Sequence, residues 1–413
     1  MTTRDTTGHT GGSSTWAGRE RFLAEADRLL ELELADAAEL RHRIHADPRV
    51  SGNERDTTTL VEQALGVTGE WIDQGLVARI GAAEGPAIAI RAELDALPIA
   101  EESDVPWSST GDVAHLCGHD VHLAALVAAT RTIVKLGAPV PLLAVLQPRE
   151  ETLPCGAADF IVSDTLLRHD IRAFFGVHLQ PQLPDGTFSA VAGPVNAAAD
   201  ELDIVITGRA AHGAYPQLSR DPIVAAAALV GALQHLVSRR SDPMSPAVLT
   251  IGSIHGGSSH NAIPGEVRLM GTLRTFDEQF RTTLHELVRA TAQGIATAHG
   301  CTAEVTLELG EPVMENDAVL AASVTQALES SGFTEGRALR SCGADDFSYY
   351  GTVFPALMIF AGTGLADGTS PGLHHPSFVP SDEAIESVAR IMLASYATAA
   401  ESLLAAENTG STQ

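Results

Sequence analysis

Side chains that can bind a metal are concentrated in two short segments of this chain. One is the pair Glu150-Glu151, which follows the apolar run 141–146. The other, 115–122, contains His115, Cys117, His119, Asp120 and His122. Thiolate, imidazole and carboxylate groups are ligands of Zn²⁺ and Mn²⁺, and a carboxylate that is not a ligand can take a proton from metal-activated water. Together the two segments predict a metal-dependent hydrolase.

The sequence Cys117-Gly118-His119 is the favoured ligand pair of the first segment. A glycine between two ligands lets the backbone pack tightly around an ion. Asp120 would then lie outside the ligands and orient an imidazole. His115 and His119 are four residues apart and could also share a helix face. The alternative is a capped helix start whose polar side chains are satisfied without a metal.

The pair Glu150-Glu151 predicts a division of roles. Two neighbouring carboxylates in a partly desolvated pocket cannot both ionise cheaply unless a cation neutralises one, so one would be a ligand and the other a base. Adjacent glutamates also occur in ordinary acidic loops, and this is the alternative. The position directly after an apolar strand favours the site.

Further candidates stand near the ends of other predicted elements. Asp95 follows one predicted strand and His178 ends another. Because ligands in open α/β sheets gather at the carboxyl ends of the strands, we expect both residues to lie near the glutamate pair. His374 and His375 offer a last ligand, although either could face solvent, and His178 alone could be a structural histidine.

The order of predicted elements indicates an α/β architecture. A long helix at 20–46 opens the chain, a helix at 123–136 follows the histidine cluster, and the apolar strand 141–146 is typical of a mostly parallel sheet with helices on both faces. Between 193 and 310 the order becomes βαββαβ, the ferredoxin-like α+β arrangement, and we expect an inserted domain there. The predicted parts are a disordered tail at 1–18, a catalytic domain at 19–192 and 311–406, the insertion at 193–310, and a flexible tail at 407–413.

Composition limits the classes of partner. The chain has 413 residues, 45% of them hydrophobic, which is enough for a large core. Its 26 basic and 52 acidic residues give a net charge of −26, which argues against nucleic acid or an anionic membrane as a partner. Four widely spaced cysteines do not form a disulfide framework, and residues 1–15 lack the apolar core of a signal peptide. Without a stretch of about 20 apolar residues, we expect a soluble cytoplasmic protein.

A set of motifs resembles the dinuclear metallo-amidohydrolases and metallopeptidases. That family includes aminoacylases, hippurate hydrolases and hydrolases of auxin (indole-3-acetyl) conjugates with amino acids, and it is related to carboxypeptidase G. Any one motif is weak, whereas the ordered set, which covers almost the whole chain, is specific. The motifs are Leu40–His45, Arg91–Ile99, His115–His122, Gln147–Glu151, Gly208–His212, Asn261–Pro264, Gly271–Arg274, Ala344–Phe347 and Leu373–Pro376.

The resemblance implies a role for each matching position. Glu150 would be the general base, with Asp95 and Asp120 behind the ligands. Two divalent ions would be held by Cys117, His119, Glu151, His178 and His374.

The resemblance also places three residues on the inserted domain, which would close over the cleft and commonly dimerises in this family. His212 would stabilise the oxyanion, and Asn261 with Arg274 would bind the substrate carboxylate, for which a planar guanidinium is suited. The alternatives are a surface-loop histidine at 212 and a strand-end salt bridge at 274.

Five residues depart from the family pattern. Glu93 and Asp345 stand where Asp and Glu are usual, Gln217 where His is usual, Arg49 where Glu is usual, and Arg149 where a small residue is common. An arginine beside Glu150 would lower the pKa of that carboxyl if the two paired. Since the implied ligands are all present, these departures concern substrate preference more than hydrolysis.

The predicted reaction is hydrolysis of the amide bond of an N-acyl amino acid by metal-activated water, with Glu150 as general base and acid. Zn²⁺ or Mn²⁺ is expected, with Co²⁺ or Ni²⁺ as alternatives. The expected partners are a small-molecule substrate and a second copy of the chain. Rival functions are a metallo-exopeptidase (dipeptidase or carboxypeptidase) and a catalytically silent metal- or ligand-binding relative, for which an unliganded Glu150 would have no use. A structural zinc site would rarely contain paired carboxylates.

Overall fold

The computed structural model describes residues 18–365 and 368–410. The predicted tails at 1–17 and 411–413 lie outside the described residues. The helices are α1 (Arg19–Leu30), α2 (Leu34–Ala46), α3 (Arg55–Leu65), α4 (His119–Lys135), α5 (Gly156–Phe160), α6 (Asp164–Leu167), α7 (Pro222–Arg240), α8 (Glu278–Ala298), α9 (Ala318–Ser330), α10 (Ser348–Gly351) and α11 (Glu383–Gly410), with a 3₁₀ turn at Pro216–Leu218. The strands are β1 (Glu70–Ile72), β2 (Gly75–Ile80), β3 (Ala87–Glu93), β4 (Leu142–Gln147), β5 (Ile171–Pro184), β6 (Thr187–Ser189), β7 (Gly193–Asn196), β8 (Ala198–Thr207), β9 (Ala211–His212), β10 (Ala247–Gly256), β11 (Ala262–Ile263), β12 (Glu266–Thr275), β13 (Thr302–Leu309), β14 (Met314–Asn316), β15 (Thr334–Glu335) and β16 (Ala356–Gly364).

The larger sheet has the strand order β1-β2-β4-β3-β5-β16-β6-β15. The four central strands β4, β3, β5 and β16 are parallel to one another, whereas antiparallel pairs occur towards the edges. Every residue of β3 and β4 is buried, as expected for strands covered on both faces. The prediction of a mostly parallel α/β sheet is confirmed.

Two apolar cores lie on the two faces of this sheet. One joins Ile90 and Leu146 to the long helices α1 to α4, α9 and α11. The other joins Ala89 and Leu143 to the short helices α5, α6 and α10. This division follows from the period of two along a strand, which points successive side chains to opposite faces. The faces are thus filled by helices, and polar side chains are left for the carboxyl edge.

The prediction of one continuous helix over 20–46 is wrong. The chain breaks between α1 and α2, where Leu32 is 67% exposed and Glu33 is buried. The Glu33 carboxylate pairs with Lys135 and lies 3.4 Å from Arg131 Nη1. The break lets this carboxylate reach the side chains of Arg131 and Lys135 on α4. The apolar spacing continues across it, so the sequence pattern does not reveal it.

The smaller sheet has the order β10-β12-β8-β13, and all its pairs are antiparallel. Helices α7 and α8 connect its strands and share an apolar core with one face of the sheet, as Leu229, Leu269 and Leu284 illustrate. The predicted βαββαβ order between 193 and 310 is therefore confirmed. The other face of the sheet carries polar side chains.

Two helices differ from what the sequence predicted. The final helix α11 continues to Gly410, so residues 407–410, expected to be part of a flexible tail, are helical. The 19-residue helix α7 is long and apolar enough to cross a membrane by length and composition, with a mean hydropathy of 1.3. One face of α7 packs into the core of the smaller sheet, and core helices pass the same test.

Candidate metal centre

Two groups of three side chains meet at the carboxyl edge of the larger sheet and share Cys117. Within each group the potential ligand atoms all lie within 4.8 Å of one another. One group is Cys117, His119 and His178, and the other is Cys117, Glu151 and His374. The five residues therefore converge from four separate stretches of the chain. Since a Zn–N or Zn–S bond is about 2.0 to 2.3 Å long, these separations suit ligands around an ion.

The turn into α4 brings Cys117 and His119 against β5. The helix begins at His119, four residues before the predicted start, and Gly118 precedes it with a φ of 92°. A Cβ at Gly118 would lie 2.8 Å from Cδ1 of Leu179, so a glycine is needed on both counts. His178 lies inside β5, which continues to Pro184 instead of ending at 178 as predicted.

The tautomers of two histidines are set by backbone carbonyls. His119 Nδ1 donates to the carbonyl of Asp95 at 2.8 Å, and His178 Nδ1 donates to the carbonyl of Leu179 at 2.7 Å. Each ring therefore presents the lone pair of its Nε2 to the cluster. The Nε2 atom of His178 lies 3.4 Å from Cys117 Sγ. His119 Nε2 is buried without a hydrogen-bond partner among the described residues. Such an orphaned atom fits a bound cation.

The environments of the two glutamates push their pKa values apart. Burial, followed by the charge of Glu151, raises the pKa of Glu150 well above its usual range. Burial would also raise the pKa of Glu151, but a hydrogen bond with His374 and the charge of His119 lower it overall. The distances are 3.3 Å from His374 Nε2 to Glu151 Oε1 and 3.8 Å from His119 Nε2 to Glu150 Oε2. Glu151 is thus suited to bind a cation and Glu150 to carry a proton.

The thiol of Cys117 also fits a cation. Its side chain is buried, and burial together with the charges of Glu151 and Glu150 raises its pKa well above the usual range. A divalent ion reverses that balance, because a coordinating thiol is deprotonated. Of the four cysteines, none of which forms a disulfide, Cys117 is the one inside the cluster.

The two residues expected behind the ligands differ in position. Asp95 holds the cluster directly: its carbonyl accepts from His119, and its Oδ2 accepts from the backbone N–H of Glu151 at 3.0 Å. Asp120 was expected to orient a ligand imidazole, but its Oδ2 pairs instead with Arg41 Nε at 2.9 Å and His45 Nδ1 at 3.0 Å. Although Asp120 directly follows His119 in sequence, its side chain faces α2, which carries both of these partners.

Sequence reasoning gave no site role to a buried layer beneath the ligands. His122 Nδ1 lies 2.8 Å from Glu93 Oε2, and His122 Nε2 accepts the backbone N–H of Leu179 at 3.0 Å, so this ring supports the strand residue next to His178. The spacing of His119 and His122, three residues apart on α4, could have indicated that both rings lie on the same side of the helix. Arg91 pairs with Glu93 and lies 3.4 Å from Asp345 Oδ1.

The remaining departures from the family pattern lie away from the ligands. The guanidinium of Arg149 does not pair with Glu150; it pairs with Asp159, donates to the carbonyl of Pro154 at 3.0 Å and lies 3.4 Å from Asp73. Arg49 forms surface ion pairs, and Gln217 is exposed in the 3₁₀ turn. An arginine at 149 therefore leaves the raised pKa of Glu150 intact.

Two cavities adjoin the cluster. A cavity of about 210 Å³ is bordered by ligand side chains and by Asn196, Ser341 and Phe360. A larger cavity of about 580 Å³ extends from Glu150 and Glu151 to the polar face of the smaller sheet, where Arg274 lines it. The cleft thus joins the two sheets.

The other two residues predicted on the insertion lie apart from these cavities. His212 pairs with Ala262 in the two-stranded ribbon β9–β11, next to Asn261, and both predicted side chains are exposed. Among the described residues, those that line the two cavities include Arg274 but neither His212 nor Asn261. The structure therefore places Arg274, but not the other pair, on the cavity that Glu150 and Glu151 border.

Comparisons with known proteins agree with this geometry. A model of peptidase family M20/M25/M40 matches residues 89–397. The chain is similar to N-acetylcysteine deacetylase of Bacillus subtilis (strain 168), with 33% identity over 84% of this chain and 92% of that protein. It is 32% identical to N-acetyldiaminopimelate deacetylase of Bacillus licheniformis, over 89% of this chain and 100% of that protein.

Two further similarities concern a peptidase and a solved structure. Thermostable carboxypeptidase 2 of Saccharolobus solfataricus is 32% identical over 79% of this chain and 85% of that protein. The crystal structure of the Bacillus subtilis YXEP protein, described as a dinuclear metal binding peptidase from the M20 family, superposes with a TM-score of 0.78 and 28% identity over 89% of this chain and 98% of that one.

Proposed function

The chain belongs to peptidase family M20/M25/M40, and we propose that it is an amidohydrolase that releases an amino acid from an N-acyl amino acid. As a member of this family it is a metal-dependent enzyme that hydrolyses amide bonds. The observation that carries the proposal is the pair of ligand groups that share Cys117, with Glu150 beside them. The two deacetylases among its relatives support an acyl amino acid as the substrate.

Two divalent ions fit the ligand set described above. We propose that they would be held by Cys117, His119, Glu151, His178 and His374, with Cys117 common to both groups of side chains. When bound, they supply Lewis acidity, which acidifies water and polarises the amide carbonyl. Zn²⁺ or Mn²⁺ suits this mixture of sulfur, nitrogen and oxygen donors, and Co²⁺ or Ni²⁺ would be accepted as well.

Glu150 is the proposed proton carrier. Its carboxylate accepts a proton from the attacking water as the carbon–oxygen bond forms, and it returns that proton to the amine nitrogen as the carbon–nitrogen bond breaks. Its raised pKa suits both halves of the exchange, because a base must hold the proton long enough to deliver it. Asp95 accepts the backbone N–H of Glu151 at 3.0 Å and so helps to position Glu151, the proposed ligand.

The inserted segment 193–310 is the proposed lid and dimerisation domain. Arg274 would pair with the substrate carboxylate, together with Asn261, and His212 would donate to the oxyanion. Because His212 and Asn261 are exposed, this role requires a movement of the ribbon towards the cluster or a second copy of the chain. The exposed apolar residues Ile223 and Val224 at the start of α7 support a homodimer through this domain.

A metallo-exopeptidase is the second candidate, supported by the similarity to a carboxypeptidase. It would use the same ligands and the same proton carrier on a peptide bond. A catalytically silent relative is disfavoured because Glu150, which the proposed ligand set does not use, stands beside the cluster with its Oε2 3.8 Å from His119 Nε2. The four free cysteines support a reducing, cytoplasmic location.

The test is a panel of N-acyl amino acids and dipeptides with protein loaded with Zn²⁺, Mn²⁺ or Co²⁺. We expect cleavage of at least one N-acyl amino acid, complete loss on chelation, and recovery when the metal is returned. Glu150→Gln should keep both metals and lose about 10² to 10⁴ in kcat, whereas the exposed Glu308→Gln should match the parent. Full activity in Glu150→Gln, or cleavage of dipeptides alone, would contradict the proposal.

A further inference from the structure

The backbone just before the glutamate pair adopts a conformation that an arginine rarely takes. Arg149 has a φ of 54°, and His374, a candidate ligand, is another of the four non-glycine residues with positive φ among those described. Residues held in the left-handed region persist only where the surroundings fix them. The contacts around Arg149 therefore determine where Glu150 and Glu151 point.

One buried carboxylate makes the decisive contact. Oε1 of Glu54 accepts the backbone N–H of Arg149 at 2.8 Å and that of Gly52 at 2.9 Å. Glu54 lies at the start of α3, far from the pair in sequence, and its side chain is fully buried. It thus ties the loop after α2 to the peptide that precedes Glu150.

The other side of the turn is closed by the chain that follows. The backbone N–H of Gly156 donates to the carbonyl of Arg149 at 3.0 Å, and a Cβ at Gly156 would lie 1.8 Å from the carbonyl oxygen of Pro148. The guanidinium of Arg149 points outwards to Asp159 and the carbonyl of Pro154. The peptide is therefore held on both sides. Of the described contacts to its backbone, only that with Glu54 comes from a distant part of the chain, whereas Asp73, at 3.4 Å, reaches the guanidinium.

We propose that Glu54 is a positioning residue, which holds Arg149 in the left-handed conformation and so directs Glu150 and Glu151 into the cluster. The role rests on the proposed function, since Glu150 and Glu151 are its proton carrier and ligand. The Glu54 carboxylate acts through the backbone N–H of Arg149 and makes no described hydrogen bond to Glu150 or Glu151. Supporting groups of this kind typically change metal affinity or activity by about 10- to 100-fold when removed.

The proposal predicts different results for two substitutions. Glu54→Gln keeps an oxygen acceptor for both N–H groups and should stay close to the parent in kcat and in metal affinity. Glu54→Ala removes the acceptor and should lower kcat and weaken one of the two metal sites by about 10- to 100-fold. Affinity is measured by titration with Co²⁺, followed by visible absorption, so the comparison does not depend on turnover.

A second pair of variants separates backbone positioning from general destabilisation. In the Glu54→Ala background, Arg149→Gly should recover kcat and Co²⁺ affinity, because glycine adopts positive φ without strain. Arg149→Ala, which also removes the guanidinium but keeps a Cβ, should not. If Glu54 only stabilised the fold, glycine and alanine at position 149 would give the same kcat and the same Co²⁺ affinity. If Glu54→Ala does not fold, Glu54→Asp, which withdraws the acceptor by one methylene, replaces it with the same expected loss.

Equal losses in Glu54→Gln and Glu54→Ala would overturn the proposal, as would equal recovery by glycine and alanine at position 149. Failure of the proposed function is distinguishable: the parent would then bind two Co²⁺ ions and cleave no substrate, while the affinities would still report on Glu54.

Discussion

The two sheets present their polar side chains in opposite ways. At the carboxyl edge of the larger sheet, Cys117, His119 and His178 are buried, and a backbone carbonyl fixes each of the two rings. On the smaller sheet and its ribbon, His212 and Asn261 are exposed and stand apart from the cavities. These three candidate ligands are preorganised, whereas the two residues proposed to act on the substrate from the ribbon are not.

This difference indicates where flexibility is useful. Metal sites need their ligands held to within a fraction of an ångström, which rigid strands and helix starts provide. A recognition surface that must open for substrate and close for chemistry gains from being mounted on a separate sheet with its own core. Substitutions at His212 and Arg274 test whether the smaller sheet and its ribbon take part in the chemistry, and one at Asp200 tests how the smaller sheet is stabilised.

The largest effect is expected for His212→Ala. If His212 reaches the oxyanion during turnover, its loss should lower kcat by about 10² to 10³ with metal content unchanged. Steady-state kinetics and metal analysis check this. The exposed His255→Ala on β10 is the matched control and should behave as the parent. A parent-like kcat in His212→Ala would confine the chemistry to the larger sheet.

A smaller effect is expected for Arg274→Lys, which retains the charge but removes bidentate pairing. Charged hydrogen bonds contribute about 1.5 to 3 kcal/mol, so KM should rise roughly 10- to 100-fold while kcat changes little. The change should be absent for a substrate whose carboxylate is replaced by an amide. Arg268→Lys, on the same strand but paired with Asp203, provides the control. An equal rise for the amide would show that Arg274 does not bind the carboxylate.

The smallest effect concerns the stability of the smaller sheet alone. Burial raises the pKa of Asp200, but hydrogen bonds from His285 and Arg281 outweigh it and lower the pKa to about 2 from 3.8. Because Asp200 is buried and its pKa falls from 3.8 to about 2, Asp200→Asn should cost about 2 kcal/mol at neutral pH. A lowered folded pKa gives stability that is present above about pH 4 and is lost towards pH 2.

Calorimetry as a function of pH checks this last expectation, with Asp203→Asn, a half-buried carboxylate on the same strand, as the control. The stability difference between Asp200→Asn and the parent should shrink as the pH falls through that window. A difference that stays constant would assign the effect to packing and not to ionisation. Unchanged metal binding in Asp200→Asn would confirm that the two sheets are stabilised independently.

Patterns of residue type predicted much of this architecture and of the cluster. The apolar strand before Glu150 and the histidines before α4 indicated the carboxyl edge, because buried parallel strands and helix starts both have local signatures. The ligand set came from the resemblance, since no spacing relates His374 to Cys117. The break at Glu33 and the partners of Asp120 differ from the predictions because they depend on contacts distant in sequence. The contact of Glu54 with Arg149 is equally distant, and no sequence pattern indicated it.

The position of β16 has a consequence for synthesis of the chain. This strand, Ala356–Gly364, lies between β5 and β6, which are made some 170 residues earlier, as their bounds Ile171–Pro184 and Thr187–Ser189 show. A chain emerging from the ribosome therefore carries an unfilled gap in its central sheet, with apolar strand edges exposed, until nearly nine-tenths of its 413 residues have been translated. During that interval the segment of the smaller sheet, whose four strands all lie between residues 198 and 309, is already complete.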